Sequence, residues 1–277
     1  FFKVEDDIMK TILANNISIN YRIDLQRDKD LDAPVIMLSN SLLSSYSMWD
    51  DQIDPLTEYF NVLRYDTRGH GGTDAPSSDY SIDIFVEDVV SLLDKLNIEK
   101  VHFVGLSMGG FVGQLFAAKY PHHIFSLTLC DTACIMPPAS LWNDRIKTAK
   151  NSGIESLIEG TLGRWFTEPF RQTNPNDVQK ITEMIRATSV QGYVNCAKAI
   201  RDMDQRQLLK DIEVPTNIIV GDKDPACPVS ASKTLNSGIS GSSLVVLKNA
   251  AHLPNIEKKS EFNKVLLRFL KSEYGKL

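Results

Sequence analysis

The sequence predicts an α/β protein with a mostly parallel central sheet flanked by helices and a helical insertion. Three observations carry this. Short apolar, β-branched runs alternate with helical patterns from about residue 35 to residue 130, as βαβ units require. Strand-like runs then disappear between about Met136 and Leu209 and resume at Val214. The pentapeptide Gly105-Leu106-Ser107-Met108-Gly109 sits between an apolar run and a helical run, so a strand, a sharp turn and a helix follow one another there.

Taken in order, Ile17 to Ile23 alternates apolar and polar residues and predicts a half-exposed edge strand. Val35-Ile36-Met37-Leu38 is a short buried strand. Asn61 to Tyr65 is another, leading into Asp66-Thr67-Arg68-Gly69-His70-Gly71-Gly72. Ile82 to Leu96 places apolar residues at helical spacing, with Asp83, Glu87, Asp88 and Asp94 among its polar positions. A strand at 101–104, a helix at 111–119 and a strand at 125–130 complete the first half. Between Met136 and Leu209, helix-like pieces are broken at Gly153, Gly163, Pro169, Pro175 and Gly192. Strands return at 214–220 and 244–247. The expected organisation is a core of residues 9–135 and 210–277, a cap of residues 136–209, and an extension at 1–8 preceding Met9.

Composition narrows the function classes. With 277 residues and 43% hydrophobic content, the chain can bury a substantial core. A net charge of −5 argues against a nucleic-acid partner, and no apolar run approaches the ~18 residues of a membrane span. Cys130, Cys134, Cys196 and Cys227 show neither zinc-ligand spacing nor a disulfide framework, so reduced thiols in a cytoplasmic protein are expected.

The pentapeptide carries the chemistry. G-x-S-x-G between a strand and a helix is the nucleophile elbow of the α/β-hydrolase fold. The turn strains the serine backbone, and small residues two positions either side let strand and helix approach. A serine hydroxyl is a weak nucleophile until a base, itself held by an acid, takes its proton. In this fold the order is serine, acid, histidine. After Ser107, the strand ending in Gly221 is followed by Asp222 and Asp224, and the last strand is followed by His252. Asp224 fits the acid role better, being deeper in the loop and fixed by Pro225. Asp222 reads as a turn former that satisfies local backbone. His122 and His123 read as surface residues near a helix end, His102 as structural, and Arg68 and His70 as a brace for neighbouring loops. The expected triad is Ser107, Asp224 and His252. The oxyanion hole needs two N–H groups: Met108, after the nucleophile, and Leu42, in the loop Ser39-Asn40-Ser41-Leu42-Leu43 where most α/β-hydrolases carry His-Gly.

That loop, followed by Met48-Trp49-Asp50, resembles the 3-oxoadipate enol-lactonases, which carry Ser-Asn-Ser-Leu in place of His-Gly. Arg64 to Gly71, Arg164-Trp165-Phe166-Thr167, and the stretch from Gln191-Gly192-Tyr193 to Ala199-Ile200-Arg201-Asp202-Met203-Asp204 resemble the same family. The similarity runs from about Ile12 to Leu270. Leu43, Ser44 and Cys227 depart from the family pattern near the pocket entrance. The resemblance implies a serine hydrolase that opens a small unsaturated lactone bearing an acetate arm, giving 3-oxoadipate in aromatic-acid breakdown. It implies no metal and no organic cofactor. The substrate carboxylate needs a cation, for which Arg145, Arg164 and Arg201 are candidates, and the cap tryptophans Trp142 and Trp165 are candidate pocket walls. A general carboxylesterase, a cofactor-free perhydrolase and a non-catalytic binding protein are the alternatives. Epoxide hydrolases and haloalkane dehalogenases are disfavoured, because they place aspartate where this chain has Ser107.

Overall fold

The computed structural model describes residues 10–275, and the expected extension at 1–8 lies outside the described residues. Eight strands form one sheet: β1 (Lys10–Ala14), β2 (Ile17–Asp24), β3 (Val35–Ser39), β4 (Asn61–Tyr65), β5 (Val101–Leu106), β6 (Ile124–Cys130), β7 (Thr216–Gly221) and β8 (Ser243–Leu247). Their spatial order is β1-β2-β4-β3-β5-β6-β7-β8. β1 pairs antiparallel with β2, and β2 antiparallel with β4. The other pairs are parallel. β3, β4 and β5 are buried along their whole length, which is why they read as continuous apolar runs rather than alternating ones.

One expectation is corrected at the sheet edge. The run from Ile17 does form a strand, but β2 lies second in the sheet, covered by β1. A two-residue turn joins them. Asn15 and Asn16 both adopt positive φ, 45° and 61°, the conformation that hairpin turns require and asparagine tolerates. The alternation in Lys10–Ala14 is that of the true edge strand, whose outward positions are half-buried or exposed.

The helix Ile82–Leu96 matches its expected limits. The Ser81 side chain caps its first turn by accepting from Ile84 N, and Asn97 ends it at φ 54°. Its Asp88, expected on the polar face, is instead buried: the carboxylate takes two N–H groups of Arg68 at 2.8 and 2.6 Å. The Arg68 guanidinium also lies over the Tyr80 ring. This buried pair fixes the loop after β4 to the helix that follows it.

Among the described residues no strand occurs between β6 and β7. Five α-helices stand there: Ala139–Ser152, Ile158–Trp165, Glu168–Thr173, Pro175–Arg186 and Val190–Asp202. The two ends of this segment meet, through a bridge between Ile135 and Asp204 and a bond from Gln205 N to Cys134 O at 2.8 Å. The segment packs backbone against backbone where Gly192 meets Gly69. A Cβ on Gly192 would stand 2.0 Å from Gly69 O, so only paired glycines allow this approach. No helix among the described residues is long and apolar enough to cross a membrane.

Candidate active site

Ser107 joins β5 to the helix Met108–Lys119 with φ 53° and ψ −111°, a conformation that a side chain rarely tolerates. The surroundings hold it there. Ser107 N donates to Cys130 O at 2.9 Å, and Ser107 O accepts from Thr132 Oγ1 at 2.8 Å. A Cβ on Gly105 would lie 2.2 Å from Gly109 O, and one on Gly109 would lie 2.2 Å from Ser39 O. Both glycines are therefore demanded by backbone-to-backbone approach, as the elbow pattern requires.

Asp224 lies in the loop after β7 and His252 in the loop after β8. His252 Nδ1 is 2.8 Å from Asp224 Oδ2, and both residues are buried. A carboxylate only accepts, so Nδ1 carries the hydrogen and Nε2 is left as the basic nitrogen. The other oxygen, Asp224 Oδ1, accepts from Ala226 N at 2.7 Å. Trp165 stacks on the imidazole at 6.4 Å between ring centroids, and its carbonyl accepts from Leu253 N. Asp222 is engaged elsewhere: its Oδ1 accepts from Asn249 N at 2.7 Å, the local turn role expected of it. The Cys227 sulfur is buried beside this pair, within 4.8 Å of ligand atoms of Asp224 and His252. Burial first, and the nearby Asp224 next, raise its pKa well above the usual thiol value.

The loop after β3 is built around Asn40. Its amide donates to Tyr65 O at 2.7 Å, its side-chain oxygen accepts from Trp49 Nε1 at 3.0 Å, and its carbonyl accepts from Gly109 N at 2.9 Å. Asparagine at this point thus ties the loop to both β4 and the elbow helix. Leu42 borders the cavity above Ser107. Met108 opens its helix, so its N–H has no carbonyl four residues back within that helix.

A cavity of about 60 Å³ receives Ser107, His252, Leu42, Trp142 and Trp165. Arg145 and Arg164 line it too, each from the helical segment. Arg145 lies over the Trp142 ring, and Arg164 donates to Thr161 Oγ1 at 3.1 Å. Among the described residues neither forms an ion pair with a carboxylate. Burial lowers the pKa of Arg145, and burial together with the Arg145 charge pulls Arg164 down to about 10. Arg201 is not brought to the cavity: its guanidinium pairs with Asp202 and donates to Asn143 near the surface. A groove of about 830 Å³ lies elsewhere, bordered by Phe166, Phe170 and Lys258. It is the roomier space, but it holds neither Ser107 nor His252, so the smaller cavity is the one equipped for chemistry.

Residues 34–153 match the family model of the α/β-hydrolase fold. The chain is 34% identical over 253 residues to 3-oxoadipate enol-lactonase 2 of Acinetobacter baylyi, covering 91% of this chain and 93% of the relative. It is similar to the crystal structure of the enol-lactonase from Burkholderia xenovorans, with a TM-score of 0.92 and 36% identity over 95% of this chain and all of that one. A hydrolase structure from Pseudomonas aeruginosa is similar at TM-score 0.90 and 35% identity, over 96% of this chain and 99% of that one. The chain belongs to the 3-oxoadipate enol-lactonase family. It is an enzyme, a hydrolase of ester bonds.

Two residues that sequence reading passed over stand at the site of this enol-lactonase relative. Tyr193 lines the cavity beside the two arginines, and burial raises its pKa. Its neighbour Gly192 belongs to the family-like stretch, which was the available signal. Asp131, directly after β6, is fully buried next to Asp224. An acid at the end of the strand beside β7 was the signal for that one.

Proposed function

We propose that the protein hydrolyses 3-oxoadipate enol-lactone to 3-oxoadipate in aromatic-acid breakdown. One observation carries the reading to this substrate class. Two half-buried arginines without carboxylate partners among the described residues face the cavity that Ser107 and His252 share, in a chain whose net charge is −5. Partly desolvated cations with no anion beside them are costly, so a cavity built this way favours a small anion. A lactone with a carboxylate arm meets both halves: the carboxylate engages Arg145 and Arg164, and the ring ester reaches Ser107. The enol-lactonases of the family supply the named substrate.

In this reading His252 takes the Ser107 proton as the oxygen attacks the lactone carbonyl. Leu42 N–H and Met108 N–H hold the developing oxyanion. The ring C–O bond breaks, and the enolate, still tethered to the acyl group, takes up the proton that His252 had accepted and becomes a ketone; the whole opened acid is now an acyl-enzyme on Ser107, and His252 is neutral again. Water activated by His252 then releases the acid. Asp224 keeps Nδ1 protonated and steadies the imidazolium. Segment 136–209 acts as a cap that keeps water from the cavity. The four cysteines, all unpaired and buried, support action in a reducing compartment such as the cytoplasm.

The test is the loss of enol-lactone absorbance on adding the protein, run beside the methyl ester of the same lactone. Faster turnover of the free acid, by about ten- to a hundredfold, is expected from a charge-assisted contact. Equal rates would leave a general carboxylesterase, and turnover of neither would leave a binding protein.

A further inference from the structure

A second carboxyl group stands behind the acid–base pair. Asp131 follows β6 directly, and its N–H donates to Ile219 O of β7 at 2.9 Å. It is completely buried and adopts φ 42°, so its position is imposed by the two strands rather than by its own preference. One carboxyl oxygen, Oδ1, accepts from Gly221 N at 2.9 Å. The other, Oδ2, is buried with no hydrogen-bond donor among the described residues. Gly221 ties this carboxyl to Asp224, since the Asp224 N–H donates to Gly221 O at 3.3 Å while the Gly221 N–H donates to Asp131 Oδ1, and the Asp224 carboxyl is the neighbouring acid.

Two carboxylates cannot face each other in a dry site with both charges intact, because like charges at short range with little solvent repel strongly. A single proton between them removes the repulsion and satisfies the orphaned oxygen at once. We propose that Asp131 is a positioning residue: it remains a neutral carboxylic acid and donates its proton in a hydrogen bond to Asp224. This pins the carboxylate that orients His252. The inference rests on the reading of Asp224 and His252 as the acid–base pair.

The neighbourhood agrees. Burial, and next the charge of Asp224, lift Asp131 well above the usual carboxylate range, and the Gly221 N–H opposes them. The titratable groups facing Asp131 are all acids: Asp224 and Cys227 from the loop after β7, Glu257 from the helix Pro254–Glu257, and Cys130 from β6. His252 reaches the cluster through Asp224. With no cation in that set, the cluster favours keeping one proton. Asp224 then has three hydrogen bonds to hold it: from Ala226 N, His252 Nδ1 and Asp131.

Asp131→Asn and Asp131→Ala separate this role from simple packing. The asparagine amide offers a donor in the same place, so Asp131→Asn keeps kcat on an activated aryl ester within about threefold. Asp131→Ala offers none, and kcat falls by about tenfold. Its acidic limb also moves to higher pH, because an Asp224 without that donor holds the His252 imidazolium more tightly. Independently, the infrared difference spectrum between the unmodified protein and Asp131→Asn shows the C=O band of a protonated carboxyl at neutral pH. Absence of that band, or an asparagine variant as impaired as the alanine one, overturns the proposal. Should Asp131→Ala fail to fold, the infrared band and the asparagine rate still decide. The aryl ester needs no lactone, so these results do not depend on the substrate. Retention of aryl-ester turnover by Ser107→Ala or Asp224→Asn would instead sink the triad reading itself.

Discussion

His70 Nε2 accepts the backbone N–H of Leu43 at 2.9 Å. A histidine from the loop after β4 thereby holds the loop after β3, one residue from Leu42. Since Nε2 accepts, Nδ1 carries the ring hydrogen, and it faces Arg68 O at 3.3 Å. The bond exists only while the ring is neutral. Leu43 needs the help, because it sits at φ 65° without the freedom of glycine.

Acid should therefore weaken the fold. Burial lowers both His70 and His102 to about 4, below the value of about 6.5 expected in the unfolded chain. A folded pKa below the unfolded one gives stability that is complete above about pH 6.5 and is lost as pH falls toward 4. Urea melts across that window should show falling stability with an uptake of up to about two protons on unfolding. His102, whose Nδ1 contacts Ser126 Oγ and whose Nε2 has no partner, can be tested alone: His102→Leu should remove about one of those protons. A flat stability profile between pH 6.5 and 4 would contradict the neutral-ring assignment.

Ser107→Ala should lower turnover by about 10⁴-fold or more while thermal melts stay nearly unchanged. Substantial lactonase or esterase activity in that variant would remove Ser107 from the mechanism.

The two aspartates after β7 should behave differently. Asp224→Asn should cripple turnover, since the amide no longer fixes the His252 tautomer. Asp222→Asn should be mild, because the side chain serves only the bond from Asn249 N and a distant Lys248 at 3.9 Å. Steady-state kinetics of the pair decides it, and the reverse ranking would transfer the acid role to Asp222.

Arg145→Met and Arg164→Met should each raise KM for the anionic lactone by about ten- to a hundredfold and leave a neutral aryl ester nearly unaffected. Arg201→Met should change neither, because Arg201 is committed to Asp202. A large effect at Arg201 alone would place the anion outside the cavity.

Gly192→Ala forces a Cβ to 2.0 Å from Gly69 O. The helical segment must shift, at a cost of about 1–3 kcal/mol, with kcat/KM falling alongside Tm. Gly163 sits in the helix Ile158–Trp165, where an added methyl would meet nothing within 4 Å. Gly163→Ala should stabilise that helix by up to about 1 kcal/mol. Calorimetry on the two variants should show shifts of opposite sign.

The sequence made the sheet legible where burial on both faces produced unbroken apolar runs, as in β3, β4 and β5. It misplaced the edge because a short strand of mixed character, Lys10–Ala14, carries little periodic signal. The elbow and the Asp224–His252 contact were legible because chain order and strand ends constrain them. The arginines were not separable by sequence. Arg145, Arg164 and Arg201 occupy three different helices, and which face of each helix looks inward is decided by packing between helices. Asp88 shows the same limit: its spacing fits a solvated face, yet its partner Arg68 turns it inward. Asp131 was missed because a single acid after a strand looks like a turn residue until the neighbouring strand brings Asp224 beside it.

The glycines at 105, 109, 69 and 192 mark contacts made by main chain against main chain. Such contacts are indifferent to side-chain identity elsewhere. The reacting groups therefore keep their places so long as a handful of positions stay bare, while the cavity walls are free to drift. For laboratory evolution this divides the chain plainly. Libraries at Trp142, Leu157, Tyr193 or Ile200 can recast which small acid is accepted, and the nucleophile will still be presented at the same angle.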